Sequence, residues 1–309
     1  MATRRATHAG SWYSASGAEL DRQLDGWLED AAQGVHNNPA VRAVIAPDRV
    51  FILGPSHHVY LRGCALSACT QYETPLGPLH IDQAVVGTLA ATGLFETMSR
   101  RTDEDEHSIE MHLPYIFKVM SRKNGPFTIV PILVGATSPS QEQTFGRLLA
   151  PYLADPTNLF VVSSDFCHWG RRFDFTLRID PTLPIHESIE RLDREGMSLI
   201  EGRNPAPFEA YLKRTRNTIC GRHPIGVLLN AVDAISKASG RSSPPAANSN
   251  AVADAAGGLV VAAGDGEIEI RFVHYSQSSK VTSERESSVS YASAFVAIPP
   301  SIAAAALSS

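Results

Sequence analysis

The sequence predicts an α/β fold, a single domain whose mostly parallel, mixed sheet is flanked by helices on both faces. Short runs rich in β-branched residues alternate with longer amphipathic runs, which is the order of strands and covering helices in such folds. Several short runs are apolar throughout, and this indicates strands that are buried on both faces. The chain of 309 residues is long enough to form such a domain.

Six short runs have the length and composition of strands. They are enriched in Val, Ile, Leu, Phe and Tyr, the residues that fit a pleated and partly buried surface. The runs are 41–46, 50–54, 127–134, 159–163, 267–275 and 289–298.

The longer runs carry apolar residues three and four positions apart, which is the spacing of one helix face. In 82–92 this stripe begins at Val85. Ser138 is predicted to cap a helix that ends near residue 152, because Pro139 follows it and Gln141 completes a capping box. The other helices are predicted at 109–120, 185–200, 208–214 and 225–235.

Residues 239–266 break this pattern. They are mostly Ala, Ser, Gly, Asn and Pro, which bury too little apolar surface to offset the entropy of ordering them. We predict a surface loop within one domain at 1–300. The alternative, a linker between two domains, leaves too little chain after it to fold alone. The Ala-rich residues 301–309 are predicted to be a disordered tail.

Composition excludes several classes of protein. The formal net charge of −5 argues against the positive field that holds nucleic acid. Four scattered cysteines without a CxxC pair argue against a disulfide scaffold or a zinc ribbon. Apolar runs long enough to enter a membrane or direct export are not apparent. We therefore expect a cytoplasmic protein, with the nucleus as a second location.

Two predicted strands end in clusters of chemically versatile side chains. FILGPSHHV presents His57 and His58 just past its strand, and LFVVSSDFCHWG presents Asp165, Cys167 and His168. Open α/β sheets place ligand sites at the carboxyl ends of their strands, so the two clusters predict a shared crevice. The alternatives are that the histidines are ordinary surface or core residues and that Cys167 packs as a small apolar side chain.

Two further stretches carry a thiol and more histidines. NTICGRHPIG places Cys220 before a helix start, where it could be a metal ligand, an activated nucleophile or a buried inert residue. TDEDEHSIEMHLPY spaces His107 and His112 five apart, which does not put both on one helix face. Its acidic run is predicted to be a solvated helix start.

These strings, with HAGSWYSASG near the start and SSVSYA near the end, closely resemble the Memo family, the mediators of ErbB2-driven cell motility. The resemblance covers nearly the whole chain apart from the 239–266 loop and the tail. It implies a domain similar to class III extradiol non-haem iron dioxygenases, with a metal site of two histidines and one cysteine. By motif it assigns His57 and Cys220 as metal ligands, and it places Asp165 and His168 in the same pocket.

The resemblance also suggests roles for the groups around the metal. Trp12 in HAGSWY matches an aromatic pocket-wall residue implicated in the family's ligand binding, and we assign His58 to ligand binding as well. Imidazole and thiolate donors suit iron or copper better than magnesium or calcium. His168 would shuttle protons, because imidazole exchanges them near neutral pH, and Asp165 would orient it or hold it charged.

One motif departs from the family pattern. Where the family has APHAGY followed by a crossover-sized segment, this chain reads VRAVIAPDRVFILGPSHH. A histidine ligand is therefore missing together with a segment near Asp48, and Asp48 is a candidate replacement. Parallel neighbours need a connection of about a dozen residues, so the runs 41–46 and 50–54 would form an antiparallel hairpin, merge, or separate. Either a skipped exon in the gene model or a divergent paralogue would explain the change.

These features lead to one main prediction and two alternatives. The main prediction is a regulatory or redox-linked intracellular protein with a dioxygenase-type metal pocket that is incomplete, and its activity as an oxidoreductase on a small molecule is left open. The first alternative is a signalling adaptor that binds phosphotyrosine segments of receptor tails and affects the cytoskeleton and motility. The second is a metal-free enzyme with Cys220 as nucleophile, His168 as base and Asp165 as its orienter.

Overall fold

The computed structural model describes residues 2–34, 47–122, 125–240 and 266–308. The predicted strand at 41–46 and most of the predicted loop at 239–266 lie outside these ranges. Contacts among Cα atoms divide the described residues into two compact units. Unit 1 comprises residues up to 137 together with 156–163, and unit 2 comprises 138–155, 164–240 and 266–308. The domain boundary at 1–300 stays a prediction.

Unit 1 contains a five-stranded mixed sheet. In sheet order its strands are β6 (Phe95–Met98), β3 (Cys64–Ser67), β7 (Thr128–Val134), β2 (Arg49–Pro55) and β8 (Asn158–Val162). Neighbouring strands are parallel except for β3 and β7. The predicted mostly parallel, mixed sheet is therefore confirmed in this unit.

The inner strands of this sheet have the burial that the sequence predicts. Both β2 and β7 are buried at every position after the first residue. Their runs of Val, Ile, Leu and Phe suit a strand covered on both faces. The edge strand β8 differs, because Leu159 within it is 42 % exposed.

Both edges of β2 are occupied. From Arg49 to Leu53 the strand pairs with β7 on one side and with β8 on the other. The alternatives for the run 41–46 stay predictions, because that run lies outside the described residues. Asp48 extends the same pairing: its N–H donates to the Thr157 carbonyl, and its carbonyl accepts from the Thr128 N–H.

Smaller elements complete unit 1. The strands β1 (Thr3–Arg4), β4 (Gln71–Tyr72) and β5 (Leu79–His80) form a separate sheet that the sequence did not predict. The helices are α1 (Gly17–Gly34), α2 (Gln83–Ala91), α3 (Arg100–Asp105) and α4 (Leu113–Met120), the last preceded by a 3₁₀ turn at Glu110–His112. The helices predicted at 82–92 and 109–120 are thus present, the second with a 3₁₀ start.

Unit 2 is mainly helical. Its helices are α5 (Pro139–Ala154), α6 (Ile185–Glu201), α7 (Pro205–Thr215), α8 (Arg222–Ala238) and α9 (Pro300–Ser308). The strands β9 (His168–Trp169), β10 (Glu269–Gln277) and β11 (Ser288–Ala297) form an antiparallel sheet in the order β10-β11-β9. The capping box predicted at Ser138 and Gln141 is present.

The end of the chain differs from the prediction. The sequence predicts a disordered tail at 301–309, whereas a helix, α9, extends over Pro300–Ser308. Ile302 and Ala303 are buried, and α9 packs against α5 and α8. Because alanine is the strongest helix former, little burial is needed to stabilise such a segment.

The mixed α/β class that the sequence predicts is confirmed, with several sheets flanked by helices rather than one. In the described part of the chain, no helix has the length and apolar content needed to cross a bilayer.

Candidate functional site

The site begins where β2 ends. Pro55 closes the strand, and His57 follows two residues later. The loop after α3 lies against this strand end, where the Ser108 Oγ donates to the Pro55 carbonyl at 2.9 Å. Gly54 permits this approach, because a Cβ there would lie 2.6 Å from the Ser108 Oγ. The contact brings the loop that contains Glu106 next to His57.

Glu106 holds His57 by two contacts. The Nδ1 of His57 lies 2.9 Å from the Glu106 Oε1, and the backbone N–H of His57 donates to Oε2 at 2.7 Å. Glu106 is only 3 % exposed. A buried carboxylate at Nδ1 fixes the ring and makes Nε2 the nitrogen that a metal would use. Histidines that bind metals commonly have this support.

Four protein donors contact the carboxylate of Glu106. Besides the two contacts from His57, its Oε1 accepts the backbone N–H groups of His107 and Ser108, both at 3.0 Å. Three of the four donors therefore meet Oε1, and one meets Oε2. Burial alone would raise the pKa of Glu106, but the hydrogen bonds from His57 and Ser108 outweigh it and lower the pKa to about 2. Glu106 is therefore an ionised group that orients His57.

His107 lies at the centre of an aromatic cluster. Its ring centroid is 4.5 Å from that of His57, with 17° between the planes, and 4.6 Å from that of Trp12, with 32°. His8 and His58 meet the ring edge-on at 6.0 and 5.8 Å. Burial, together with the neighbouring His57, lowers the pKa of His107 to about 4. The ring is therefore neutral near pH 7 and keeps a lone pair that can bind a metal.

A second pair of histidine and carboxylate lies beside the first. The Nδ1 of His8 is 2.8 Å from the Glu110 Oε2, and the His8 backbone N–H donates to Oε1 at 2.9 Å. The Tyr13 hydroxyl donates to Oε1 at 2.7 Å, and the Arg4 Nη2 lies 2.7 Å from Oε2. Burial alone would raise the pKa of Glu110, but the charge of Arg4 and the hydrogen bonds from His8 and Tyr13 outweigh it and lower the pKa.

The prediction that the acidic run is a solvated helix start is wrong. Asp103, Glu104, Glu106 and Glu110 are all buried. The fully buried Arg4 bonds to the carboxylates of Asp103 and Glu110 and to the Glu106 carbonyl. The local sequence resembles an exposed helix start because this cation lies 99 residues from Asp103 in the chain.

The donors in unit 1 fit a transition-metal ion. Ligand atoms of His57, Glu106 and His107 all lie within 4.8 Å of one another. Metal bonds of about 2.0–2.2 Å place ligand atoms roughly 3.3–3.6 Å apart, so the ligand atoms would approach one another by at most about 1.5 Å on binding. Imidazole nitrogen favours zinc, copper or iron over magnesium and calcium. The nearly parallel rings of His57 and His107 have to turn to share an ion, because an imidazole lone pair lies in the ring plane.

Asp165, His168 and Cys220 lie together in unit 2. The Sγ of Cys220 accepts the backbone N–H of Asp165 at 3.0 Å. The Nδ1 of His168 lies 3.0 Å from the carbonyls of both Phe166 and Thr218. The carboxylate of Asp165 is on the other side of the ring, 3.9 Å from Nε2. The backbone therefore orients His168, in place of the carboxylate that the metal-free enzyme alternative assumed.

The predicted site residues thus fall into two groups. Trp12, His57 and His58 surround His107 in unit 1, while the other predicted residues lie in unit 2. Joint binding of one ion by His57 and Cys220 stays a prediction. For Cys167 the simpler interpretation is confirmed: it is completely buried, and burial raises its pKa.

Asp48 cannot replace the missing histidine beside His57. Asp48 precedes the first residue of β2, and His57 follows the last. A strand of this length separates them by roughly 20 Å or more, at about 3.3 Å per residue. The option that Asp48 restores a ligand next to His57 is therefore wrong.

Sequence reasoning missed the roles of four residues in unit 1, namely His8, Glu106, His107 and Glu110. The strings that contain them are conspicuous, but helical spacing was the wrong template for a loop and a 3₁₀ turn. The signal that could have found them is the pair of basic residues at positions 4 and 5, because the acidic run has more carboxylates than the two arginines before it, Arg100 and Arg101, can neutralise.

Comparison with known proteins places the chain among its relatives. The family model described as Memo-like protein matches residues 40–295. Protein MEMO1 of Xenopus laevis is 50 % identical over 312 aligned positions, which cover 94 % of this chain and 95 % of that protein. The Homo sapiens protein of the same name is 48 % identical with the same coverage. Protein memo-1 homolog of Caenorhabditis elegans is 44 % identical, covering 96 % of this chain and 83 % of that protein.

The alignment with the Xenopus laevis protein contains gaps. It extends over 312 positions, although 94 % of this chain's 309 residues is about 290. About 22 aligned positions therefore have no residue in this chain.

Proposed function

The chain belongs to the Memo family, and from this premise we propose that it is a regulatory, redox-linked protein that binds one iron or copper ion at the end of β2. The proposal rests on the group of His57, Glu106 and His107, whose ligand atoms lie within 4.8 Å of one another. The two imidazoles would hold the ion, and Glu106 would orient His57.

Iron or copper bound here would supply one-electron redox chemistry. The protein's own residues decide how this is used. Trp12 is 56 % exposed beside His107, so it can contact a small-molecule ligand together with His58. Two imidazoles are fewer than the three protein ligands of usual catalytic sites. We therefore expect weaker binding than in a complete site, and a regulatory role rather than full dioxygenase turnover.

His168 and Asp165 are the groups that would move protons in this proposal. The carbonyls at Nδ1 support a tautomer of His168 in which Nε2 accepts a proton. Asp165, 3.9 Å away, would stabilise the charged ring. We propose a cytoplasmic location, with the nucleus as a second one, and a small-molecule ligand rather than nucleic acid or lipid. The net charge of −5 supports that preference.

Metal content tests the proposal. The purified protein is loaded with Fe²⁺ without oxygen, or with Cu⁺, dialysed, and analysed for metal. We expect about one ion per chain, and a His57→Ala variant should bind at least about tenfold more weakly, because one of few ligands is lost. His80→Ala is the matched control, since His80 is an exposed histidine in β5 of the same unit. Equal metal in the wild type and the His57→Ala variant would refute the site.

A second candidate function is binding of a phosphotyrosine peptide, as expected of an adaptor that affects cell motility. The observation that favours it is the exposed Trp12, 5.7 Å from the ring of His8 and 4.6 Å from that of His107. An aromatic surface beside imidazoles can accept a phosphorylated ring. A phosphotyrosine peptide should bind the wild type and Trp27→Ala but not Trp12→Ala, because Trp27 is equally an exposed tryptophan of unit 1, 50 % exposed. Equal loss in both variants would contradict this function.

A third candidate is metal-free chemistry at Cys220. The sulfur of Cys220 accepts the backbone N–H of Asp165 at 3.0 Å. The other three cysteines are buried, so alkylation by iodoacetamide should be fastest at Cys220. If His168 is the base, a His168→Asn variant should react at least about tenfold more slowly. An unchanged rate would exclude the catalytic pair.

A further inference from the structure

We propose that one face of unit 1 binds a partner protein through a segment in which basic residues flank apolar ones. The face consists of Trp27 in α1 and of Tyr115 and Val119 in α4, and we call it the Trp27 face. This binding would be an activity separate from metal binding at the end of β2.

The three side chains of the Trp27 face are apolar and open to solvent. Trp27 is 50 % exposed, Tyr115 40 % and Val119 48 %. The two aromatic rings are stacked, with 6.1 Å between their centroids and 24° between their planes. Because Val119 follows Tyr115 by four residues, both lie on the same side of α4. Exposed tryptophan and tyrosine side chains often supply most of the binding energy of an interface.

In α1 the apolar stripe is longer than its buried part. Leu20 and Leu24 are buried, and Trp27 continues the same helix face. The stripe therefore passes from the core of unit 1 to solvent within two turns. A partner that covered Trp27 would extend the packing that Leu20 and Leu24 begin.

The other helix, α4, is apolar on two sides. Leu113, Ile116 and Met120 are buried in the core of unit 1. Tyr115 and Val119 lie on the other side and are exposed. A helix that is apolar all round is usually covered all round. The second side of α4 therefore indicates a surface for a partner.

The surface beside Trp27 is acidic. Asp30 follows Trp27 by three residues on the same helix face, and Glu29 lies next to it in the chain. Both are exposed, and within the described ranges neither forms an ion pair. The last turn of α1 contains no basic residue, so the negative end of the helix dipole adds to these two charges.

The acidic residues earlier in α1 are already paired with cations. The Nζ of Lys118 lies 2.5 Å from the Asp21 Oδ1 and 2.8 Å from the Asp25 Oδ2. The Nη2 of Arg122 lies 2.5 Å from the Asp25 Oδ1. These ion pairs connect α1 with α4, and they leave the unpaired negative charge at the C-terminal end of α1.

This charge selects the chemistry of the partner. Lysine or arginine residues beside an apolar anchor would pair with Glu29 and Asp30, and a cation could also lie over the exposed ring of Trp27. The same carboxylates would repel nucleic acid or an anionic lipid surface. A second copy of this chain fits less well, because a twofold contact would bring two acidic ends of α1 together.

A fluorescein-labelled amphipathic peptide of leucine and lysine tests the inference on the full chain by fluorescence anisotropy. We expect Trp27→Ala to lower its affinity at least about tenfold, because a central aromatic anchor is lost. The control Tyr60→Ala should stay within about twofold, since Tyr60 is a 79 % exposed aromatic residue elsewhere in unit 1. A peptide with glutamate in place of lysine should bind the wild type at least about tenfold more weakly.

A pair of charge variants separates the Trp27 face from the net charge of the protein. The double variant Glu29→Gln, Asp30→Asn should lower the affinity for the leucine–lysine peptide about fivefold at low salt and much less at high salt. The control Glu73→Gln, Glu96→Gln removes the same charge at two exposed positions of unit 1 and should have a clearly smaller effect. Equal losses in the two double variants would show attraction to the net charge alone and would overturn the inference.

Three further outcomes would also overturn it. They are the absence of measurable peptide binding to the wild type, equal affinity in the wild type and Trp27→Ala, and a wild-type dimer in sedimentation that Trp27→Ala abolishes, since that dimer would assign the face to a second copy. A Val119→Lys variant covers the case in which Trp27→Ala does not fold. It keeps both rings but places a positive charge on the Trp27 face, and it should weaken peptide binding at least about tenfold. Unchanged binding in a folded Val119→Lys variant would contradict the proposed surface.

Discussion

His57 in unit 1 and His168 in unit 2 each have a carboxylate nearby, and the chain uses these two acids differently. In unit 1, Glu106 is 3 % exposed and contacts His57 through Nδ1 and the backbone N–H. In unit 2, backbone carbonyls hold the Nδ1 of His168, and Asp165 lies 3.9 Å from Nε2 with a side chain 45 % exposed. The first acid fixes a ring, whereas the second lies beside a ring that backbone carbonyls hold.

The difference teaches that sequence proximity does not identify the orienting group. Asp165 is three residues from His168, yet it does not hold the ring. Glu106 is 49 residues from His57 and does. A buried carboxylate needs a counter-charge and several donors, and such a set is assembled only by the fold.

The largest expected effect comes from Arg4, the buried cation of unit 1. Replacing it in an Arg4→Met variant leaves Asp103 and Glu110 without their partner. Removing one member of a buried ion pair costs about 3–5 kcal/mol of the free energy of unfolding. Urea unfolding measures this cost. Arg100→Met is the control, because the Arg100 side chain is 50 % exposed and should change the free energy by less than about 1 kcal/mol. Equal small losses would show that the carboxylates of unit 1 do not depend on Arg4.

The next effect is the pH dependence of unit 1. The pKa of His107 is about 4 in the folded chain, so below its ordinary value of 6.5 the unfolded chain binds the proton more readily. The contribution of neutral His107 to the free energy of unfolding is complete above pH 6.5 and is lost as the pH falls through 4. It amounts to about 2–3 kcal/mol between pH 7 and 4.5. Urea unfolding at both pH values should show this loss in the wild type and a smaller one in His107→Asn. Equal losses in both would contradict a neutral, buried His107.

Glu106 gives a comparable effect on metal binding. A Glu106→Gln variant keeps the size of the side chain but removes the charge that supports His57. We expect Zn²⁺ affinity to fall about 10- to 100-fold, the usual cost of losing the partner of a ligand histidine. Glu96→Gln, at an exposed position of β6, is the control. An unchanged affinity in Glu106→Gln would mean that Glu106 does not support metal binding by His57. Glu106 and Asp165 would then differ less in function than their hydrogen bonds indicate.

The sequence predicts many of the regular elements because their signals are local, but it does not predict the helix α1 or the strands β3 and β6 of the five-stranded sheet. The apolar run at 127–134 became β7, and the capping box at Ser138 formed as predicted. The sheet of β1, β4 and β5 was missed, because strands of two residues carry no periodic pattern. The tail was misjudged for a related reason, since the burial of Ile302 depends on α5 and α8 rather than on its own neighbours.

The candidate site was predicted only in part. Trp12, His57 and His58 could be named from their motifs, and they do meet in unit 1. The residue at the centre of the cluster, His107, is not predicted as a site residue, because its spacing from His112 does not suit one helix face. The stacking of His107 on His57 depends on a loop that reaches the end of β2, and no local pattern encodes such a meeting.

Gly54 permits the loop to approach the end of β2. Replacing it is expected to have the smallest effect among the variants discussed. In a Gly54→Ala variant the new methyl would lie 2.6 Å from the Ser108 Oγ and 2.7 Å from the Ile109 Cγ1, so the loop has to move away from β2. Overpacking of this kind costs about 1–3 kcal/mol. The matched Gly87→Ala change in α2 meets nothing within 4 Å and should stabilise the chain by about 0.5–1 kcal/mol. We expect the free energy of unfolding to fall in Gly54→Ala and to rise in Gly87→Ala, and Zn²⁺ binding to weaken in Gly54→Ala alone. This result would show that the close approach of the loop to β2 positions Glu106 beside His57. The same sign in both variants would contradict this.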